Sequence, residues 1–143
     1  MFAQFNYENA PLIVVTLDTN IGNKDELDLF LKEWKQSYEQ NNSYRYIFDS
    51  RKCGMINIKY TYLFAKFLSK LKSESVKYLD DVYVVIKSPW IKGLLEFVFT
   101  LQSPIAPVYI TESLKIAKKI YYRTINNEDI SDLNYKYIPC VKN

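Results

Sequence analysis

Apolar positions in this chain form two alternating kinds of run, short blocks rich in β-branched residues and longer stretches at helical spacing. The clearest example lies between Asp81 and Tyr109. Val82, Val84, Val85 and Ile86 are too uniformly apolar for a half-exposed strand and fit a central parallel strand covered on both faces. Ser88-Pro89 then supplies a helix N-cap and a first-turn proline, whose missing N–H costs nothing there. The predicted helix over 90–101 carries only one acid, Glu96, and one base, Lys92, and Pro104 and Pro107 bracket a strand over 105–110.

The same reading extends to both ends. Residues 2–7 and 12–17 read as strands joined by Glu8-Asn9-Ala10-Pro11, a hairpin connection. The first alternates Phe2, Gln4 and Asn6 with Ala3, Phe5 and Tyr7, as an edge strand does, while Leu12-Ile13-Val14-Val15 reads as fully buried. Asn23 with Glu26 resembles a capping box. Leu27, Phe30, Leu31, Trp34 and Tyr38 then repeat with the period of an amphipathic helix. Asn41-Asn42-Ser43 interrupts the chain before a strand at 44–49. From Asn57, the positions of Tyr60, Leu63, Phe64, Phe67, Leu68 and Leu71 predict a second helix ending near 73–77. Thr111 caps a last helix with Leu114, Ala117 and Tyr121 on one face and Lys115, Lys118, Lys119 and Arg123 around the rest. The expected order is β-β-α-β-α-β-α-β-α within one α/β domain over 1–125. It has a mostly parallel central sheet, an N-terminal edge hairpin strand and helices packed against it, and its crossovers are long enough to join parallel strands. A polar tail over 126–143 holds Tyr135, Tyr137, Ile138 and Pro139, enough apolar surface to dock on the body.

Tyr46-Ile47-Phe48-Asp49 followed by Gly54-Met55-Ile56, and the segment from Val84 through Trp90, Leu94, Phe97 and Phe99 to Val108-Tyr109-Ile110 and Glu112, carry a resemblance. This order and these segments resemble the STAS fold of anti-sigma-factor antagonists and sulfate-transporter cytoplasmic domains, in a divergent branch that borders on CRAL-TRIO lipid-binding domains. The resemblance implies a non-enzymatic interaction module. Laid on the antagonist pattern, the phosphorylation motif falls on Asn57, Ile58 and Lys59, where Lys59 replaces the phosphorylatable hydroxyl. Phosphate at a helix N-terminus works by placing about two negative charges where the dipole accepts them, and lysine does the reverse. Thr61 lies two residues too late, so the family's kinase switch is expected to be absent.

Composition narrows the chemistry further. The chain has 143 residues, 48% hydrophobic, and a net charge of +3, which suits one domain with a real core. Lys, Asn, Ile and Tyr are abundant and glycine scarce, a bias that AT-rich codons produce. Bases are interleaved with acids and the only arginines are Arg45, Arg51 and Arg123, which argues against nucleic acid as a partner. The lysine-rich last helix reads as a solvated face, with at most weak contact with a membrane surface. With no signal-like segment and no membrane-length apolar run, a soluble cytoplasmic protein is expected.

Histidine is absent, which removes the commonest neutral-pH base and metal ligand. Cys53, beside Lys52 and a helix start, occupies the kind of place that can lower a thiol pKa, yet no base or resolving cysteine lies near it in sequence. Cys53 and Cys140 read as free thiols. Asp18, Asp49, Asp80 and Asp81 stand at element ends, where capping and turns account for them, and Gly22, Gly54 and Gly93 are too isolated for a phosphate loop. No catalytic residue, cofactor or metal site is therefore expected, and an enzyme of unknown type using Asp49 or Cys53 stands third among the functional readings.

Within the 89–102 helix, Ile91, Leu94, Leu95, Val98 and Phe99 are expected to cover the sheet, with Trp90, Phe97 and Leu101 on a different side. Trp90, Ile91, Leu94, Phe97 and Leu101 are the interface candidates for a protein partner or a second copy of the chain, and Tyr60, Tyr62 and Tyr122 could add rings. The competing expectation is that the tail or a neighbouring helix covers them. The alternative function is binding of a small apolar or lipid-like ligand in a cavity of several hundred Å³ lined by Phe64, Phe67, Phe97 and Phe99.

Overall fold

Strands form where β-branched and aromatic residues alternate, and in this computed structural model they join into one sheet. The structure describes residues 2–17, 23–40, 42–54, 56–74 and 78–140. Asp18, Gly22, Asn41, Met55 and residues 75–77 lie outside them. The strands are β1 (Ala3–Asn6), β2 (Leu12–Leu17), β3 (Tyr44–Asp49), β4 (Leu79–Val85), β5 (Val108–Thr111) and β6 (Lys136–Ile138). The helices are α1 (Lys24–Tyr38), α2 (Lys59–Lys72), α3 (Pro89–Leu101) and α4 (Leu114–Ile125). The sheet order follows the chain from β1 to β6; β2 to β5 run parallel, and β1 and β6 pair antiparallel at the two edges. This is the α/β architecture expected from the hydrophobic pattern, with one further strand.

Period-two alternation divides the strand residues between two cores. Tyr46, Phe48, Val82, Val84, Val108 and Ile110 point to the side packed by α1, α2 and α3. Ile47, Tyr83, Val85 and Tyr109 point to the other, where Ala117, Ile120 and Tyr121 of α4 cover them. Successive crossovers of one hand between adjacent parallel strands put three consecutive helices on one face. The β5–β6 connection is antiparallel, escapes that rule, and leaves α4 opposite. Because α4 packs on β4 and β5, Val14 of β2 stays partly exposed while Ile13 and Val15 are buried, so β2 is not the fully buried strand expected.

Trp34 stands at the centre of the three-helix side. Its ring centroid is 5.2 Å from those of Tyr46 and Phe48 and 5.6 Å from those of Phe64 and Phe67. On the other face, Arg45 Nε donates to Asp81 Oδ2 at 2.9 Å, and the guanidinium lies 5.9 Å from the Tyr121 ring centroid.

Several boundaries differ from the expected ones. β5 begins at Val108, not at 105: Ile105 and Ala106 are buried but lie between two prolines, which lack the N–H a ladder needs. Thr111 remains in the strand opposite Val85, and Ser113 caps α4, its Oγ accepting from Ile116 N at 3.3 Å. α2 begins at Lys59 and ends at Lys72, because Asn57 Oδ1 accepts from Lys59 N in a tight turn first. The tail docks by adding β6 to β5, in the register Val108–Ile138, Tyr109–Tyr137 and Ile110–Lys136.

Candidate interaction surface and apolar cavity

α3 is positioned by its N-terminus, where Ser88 Oγ accepts from Ile91 N at 3.4 Å and Pro89 occupies the first turn. From that start Ile91, Leu94 and Val98 fall on the sheet-facing stripe and are buried. Ile91 and Leu94 are therefore core residues, which corrects their place among the interface candidates: one turn apart and in line with Val98, they point inward. Trp90 is 43% exposed and Leu101 46%, while Phe97 is partly buried.

Neighbouring α2 enlarges this outward stripe. The Phe97 ring stands edge-on to that of Tyr62 at 5.6 Å, and Trp90 Nε1 donates to the Ile56 carbonyl at 3.3 Å. Ile58 and Tyr62 are themselves exposed. Together Ile58, Tyr62, Trp90, Phe97 and Leu101 mark an apolar surface across α2 and α3. Ile58 was visible in the sequence only as part of the degenerate phosphorylation motif, because nothing local reveals that α2 and α3 are neighbours. Tyr60 is buried, and Tyr122 is exposed on α4, which packs on the opposite face, so of the three added tyrosines only Tyr62 joins this surface.

The tail takes another route. Lys136 Nζ of β6 meets Glu96 Oε1 at 2.9 Å, so the chain passes along the Lys92–Glu96 flank of α3. There Lys87, Lys92, Lys136 and Glu112 surround an open cleft of about 350 Å³ at the carboxyl ends of β4 and β5.

Behind α3 lies a cavity of about 150 Å³ between the sheet and α1, α2 and α3. Phe30, Phe48, Phe64, Val84, Val98 and Phe99 are among its wall residues. It is smaller than expected, and Phe67 and Phe97 are not in its wall. Phe67 packs on Trp34, and Phe97 turns outward to Tyr62. Two of the wall hydroxyls are occupied: Ser50 Oγ donates to the Val85 carbonyl at 2.7 Å, and Thr61 donates to the Ile58 carbonyl.

The polar candidates are engaged in structure. Cys53 is buried, and burial pushes its thiol up to about 11, away from reactivity. Hydrogen bonds from the Arg51 guanidinium hold the Asp49 carboxyl below its usual range. Asp81 sits between Arg45 and Tyr83, and burial raises its carboxyl against the pull of that arginine. Asn57 caps the turn into α2, and the Lys59 ammonium lies 5.1 Å from the Tyr60 ring centroid. Thr61 is buried, so it offers no substitute for the missing phosphorylatable hydroxyl. Lys115, Lys118 and Lys119 are exposed, and Arg123 is tied to Asp132. Among the described residues no group of three or more acidic, cysteine or histidine side chains could hold a metal ion, and no helix is long and apolar enough to cross a membrane.

Comparisons with protein-family models, with curated proteins and with solved structures found no match.

Proposed function

We propose that this chain is a STAS-like, non-enzymatic interaction module whose contact surface is the outer side of α2 and α3, with a second copy of the chain as the simplest partner. One observation carries the reading: Ile58 at the start of α2, Tyr62 on α2, and Trp90 and Leu101 on α3 are exposed, while the tail, the competing cover, pairs with β5 on the other flank. Large apolar side chains grouped in this way mark association surfaces, and aromatic anchors dominate their energetics. The STAS-like element order supports the same class of function. With Lys59 at the phosphorylation position, association in this reading is constitutive and not controlled by a kinase.

The test is light scattering behind size exclusion on the wild type and on Trp90→Ser/Leu101→Glu. Both positions are exposed, so the variant keeps its core. A wild-type oligomer that becomes a folded monomer in the variant is the expected result. A wild type that stays monomeric at high concentration, or a variant with unchanged mass, overturns the self-association reading.

A further inference from the structure

We infer that the cavity between the sheet and α1, α2 and α3 is a binding site for one small, uncharged, apolar molecule of about the size of benzene, and not for a lipid. The inference is independent of the surface proposed above, since it concerns the inner side of the same helices.

Three observations converge on it. The first is volume: about 150 Å³ is the size at which a dry apolar cavity takes up benzene or xenon, whereas sites for larger ligands span roughly 300–1,000 Å³. The second is wall chemistry. Phe30, Phe64, Leu68 and Phe99 from the helices face Phe48 and Val84 from the sheet, and no acidic or basic side chain reaches the wall. Of the polar side chains in the wall, Ser50 and Thr61 already donate their protons to the carbonyls of Val85 and Ile58. A fatty acid or other headgroup-bearing lipid would bury its polar end against a wall with no charged side chain to meet it. A hydrocarbon ring loses nothing of that kind. The third is construction. The cavity has a wall on every element of one layer, α1, α2 and α3, and its floor on β3, β4 and β5, so it is not the gap left by one short side chain. Closing it would require three helices held by their crossovers to move together.

Benzene and xenon are the probes. Wild-type protein labelled at its methyl groups is titrated with benzene, and the methyl signals of Leu68, Val84 and Val98 are followed together with the melting temperature. The inference expects saturable shifts concentrated at those methyls, a melting temperature that rises with benzene, and a specifically shifted xenon resonance that benzene displaces. Ala106→Val and Val98→Leu, which add volume at two different parts of the wall, are expected to weaken benzene binding by about tenfold or more while the apoprotein remains folded. Trp90→Ser/Leu101→Glu is expected to bind benzene as the wild type does. Shifts that grow linearly without saturation overturn the inference, as does a xenon signal that benzene leaves unmoved. If one filling variant fails to fold, the other variant and the xenon competition on wild type still decide the matter.

Discussion

Tyr44 and Tyr46 on β3 are buried to 5% and 0% exposure, yet their hydroxyls and the Trp34 indole N–H have no hydrogen-bond partner of good geometry. The three groups approach one another, and Tyr46 approaches Ser37, whose own proton goes to the Glu33 carbonyl. A buried polar group without a partner costs about 1–3 kcal/mol. Tyr46→Phe keeps the ring that packs on Trp34 and Phe48 and removes only the oxygen. It is expected to leave stability unchanged or raise it by up to about 1 kcal/mol. Tyr83→Phe is the contrasting case, because the Tyr83 hydroxyl donates to Asp81 Oδ2 at 3.3 Å. Losing that bond leaves a buried carboxylate with less support, and a loss of about 1 kcal/mol is expected. Urea unfolding of the two variants beside wild type checks both signs. Equal losses would mean that the Tyr46 hydroxyl is satisfied after all. The apolar character of these rings was legible in the sequence. Which hydroxyl finds a partner was only half legible: Asp81 lies two residues from Tyr83 within β4, but the Arg45 that shares this carboxylate stands opposite it across β3 and β4, and nothing within either strand says so.

Signals carried within a few residues were the ones most legible at the level of elements. Ser88-Pro89 announced α3, and the spacing of Leu27, Phe30, Leu31 and Trp34 announced α1. Elements held by distant partners were not legible. β6 has only three residues, two of them exposed, and it exists because the edge of β5 offers it a ladder. The surface on α2 and α3 was half legible: Trp90, Phe97 and Leu101 followed from helical phase and Tyr62 was one of three tyrosines that could add to them, whereas Ile58 joined only through the packing of one helix on the other. The cavity was harder still. Phe64 and Phe67 are one turn apart, and the exact roll of α2 puts the first in the wall and the second on Trp34. Ending the chain after Leu133 tests the role assigned to the tail. It removes Tyr135 and Tyr137, whose rings lie 5.6 and 5.0 Å from that of Tyr109, and the expected loss is about 1–2 kcal/mol in urea unfolding. Since β6 does not cover Trp90 or Leu101, the truncated protein is expected to associate as the full chain does. A change of mass in light scattering on truncation would show that the tail belongs to the interface.

The charge state of the whole molecule follows from its composition together with its burial. With no histidine in the chain, the usual source of pH dependence near neutrality is missing, and stability is expected to be nearly flat there. Above that range the tyrosines take over. Burial pushes Tyr38 and Tyr109 up to about 12 and Cys53 up to about 11, and raises Tyr44, Tyr46 and Tyr83 further still. Each group holds its proton more tightly folded than unfolded. The stabilisation is therefore complete below the unfolded values, about 10 for tyrosine and 8.5 for a thiol, and is lost as the pH rises through the folded ones. A tyrosine that stays protonated in the fold removes about 1.4 kcal/mol per pH unit above about 10, and several act together. On the acid side the shifts oppose each other. Asp49, held low by Arg51, loses its contribution as the pH falls through its folded value; Asp81, raised by burial, is relieved of a cost as it protonates. The urea midpoint is therefore expected to change little between pH 6 and 8 and to fall steeply from about pH 9 to 11. Tyrosinate absorbance followed with far-ultraviolet circular dichroism checks the cause: part of the absorbance should appear only as the helical signal is lost. Complete tyrosine ionisation with the dichroism intact would mean that the tyrosine-rich core admits water and hydroxide, and the cavity between the sheet and the three helices would then be wet as well.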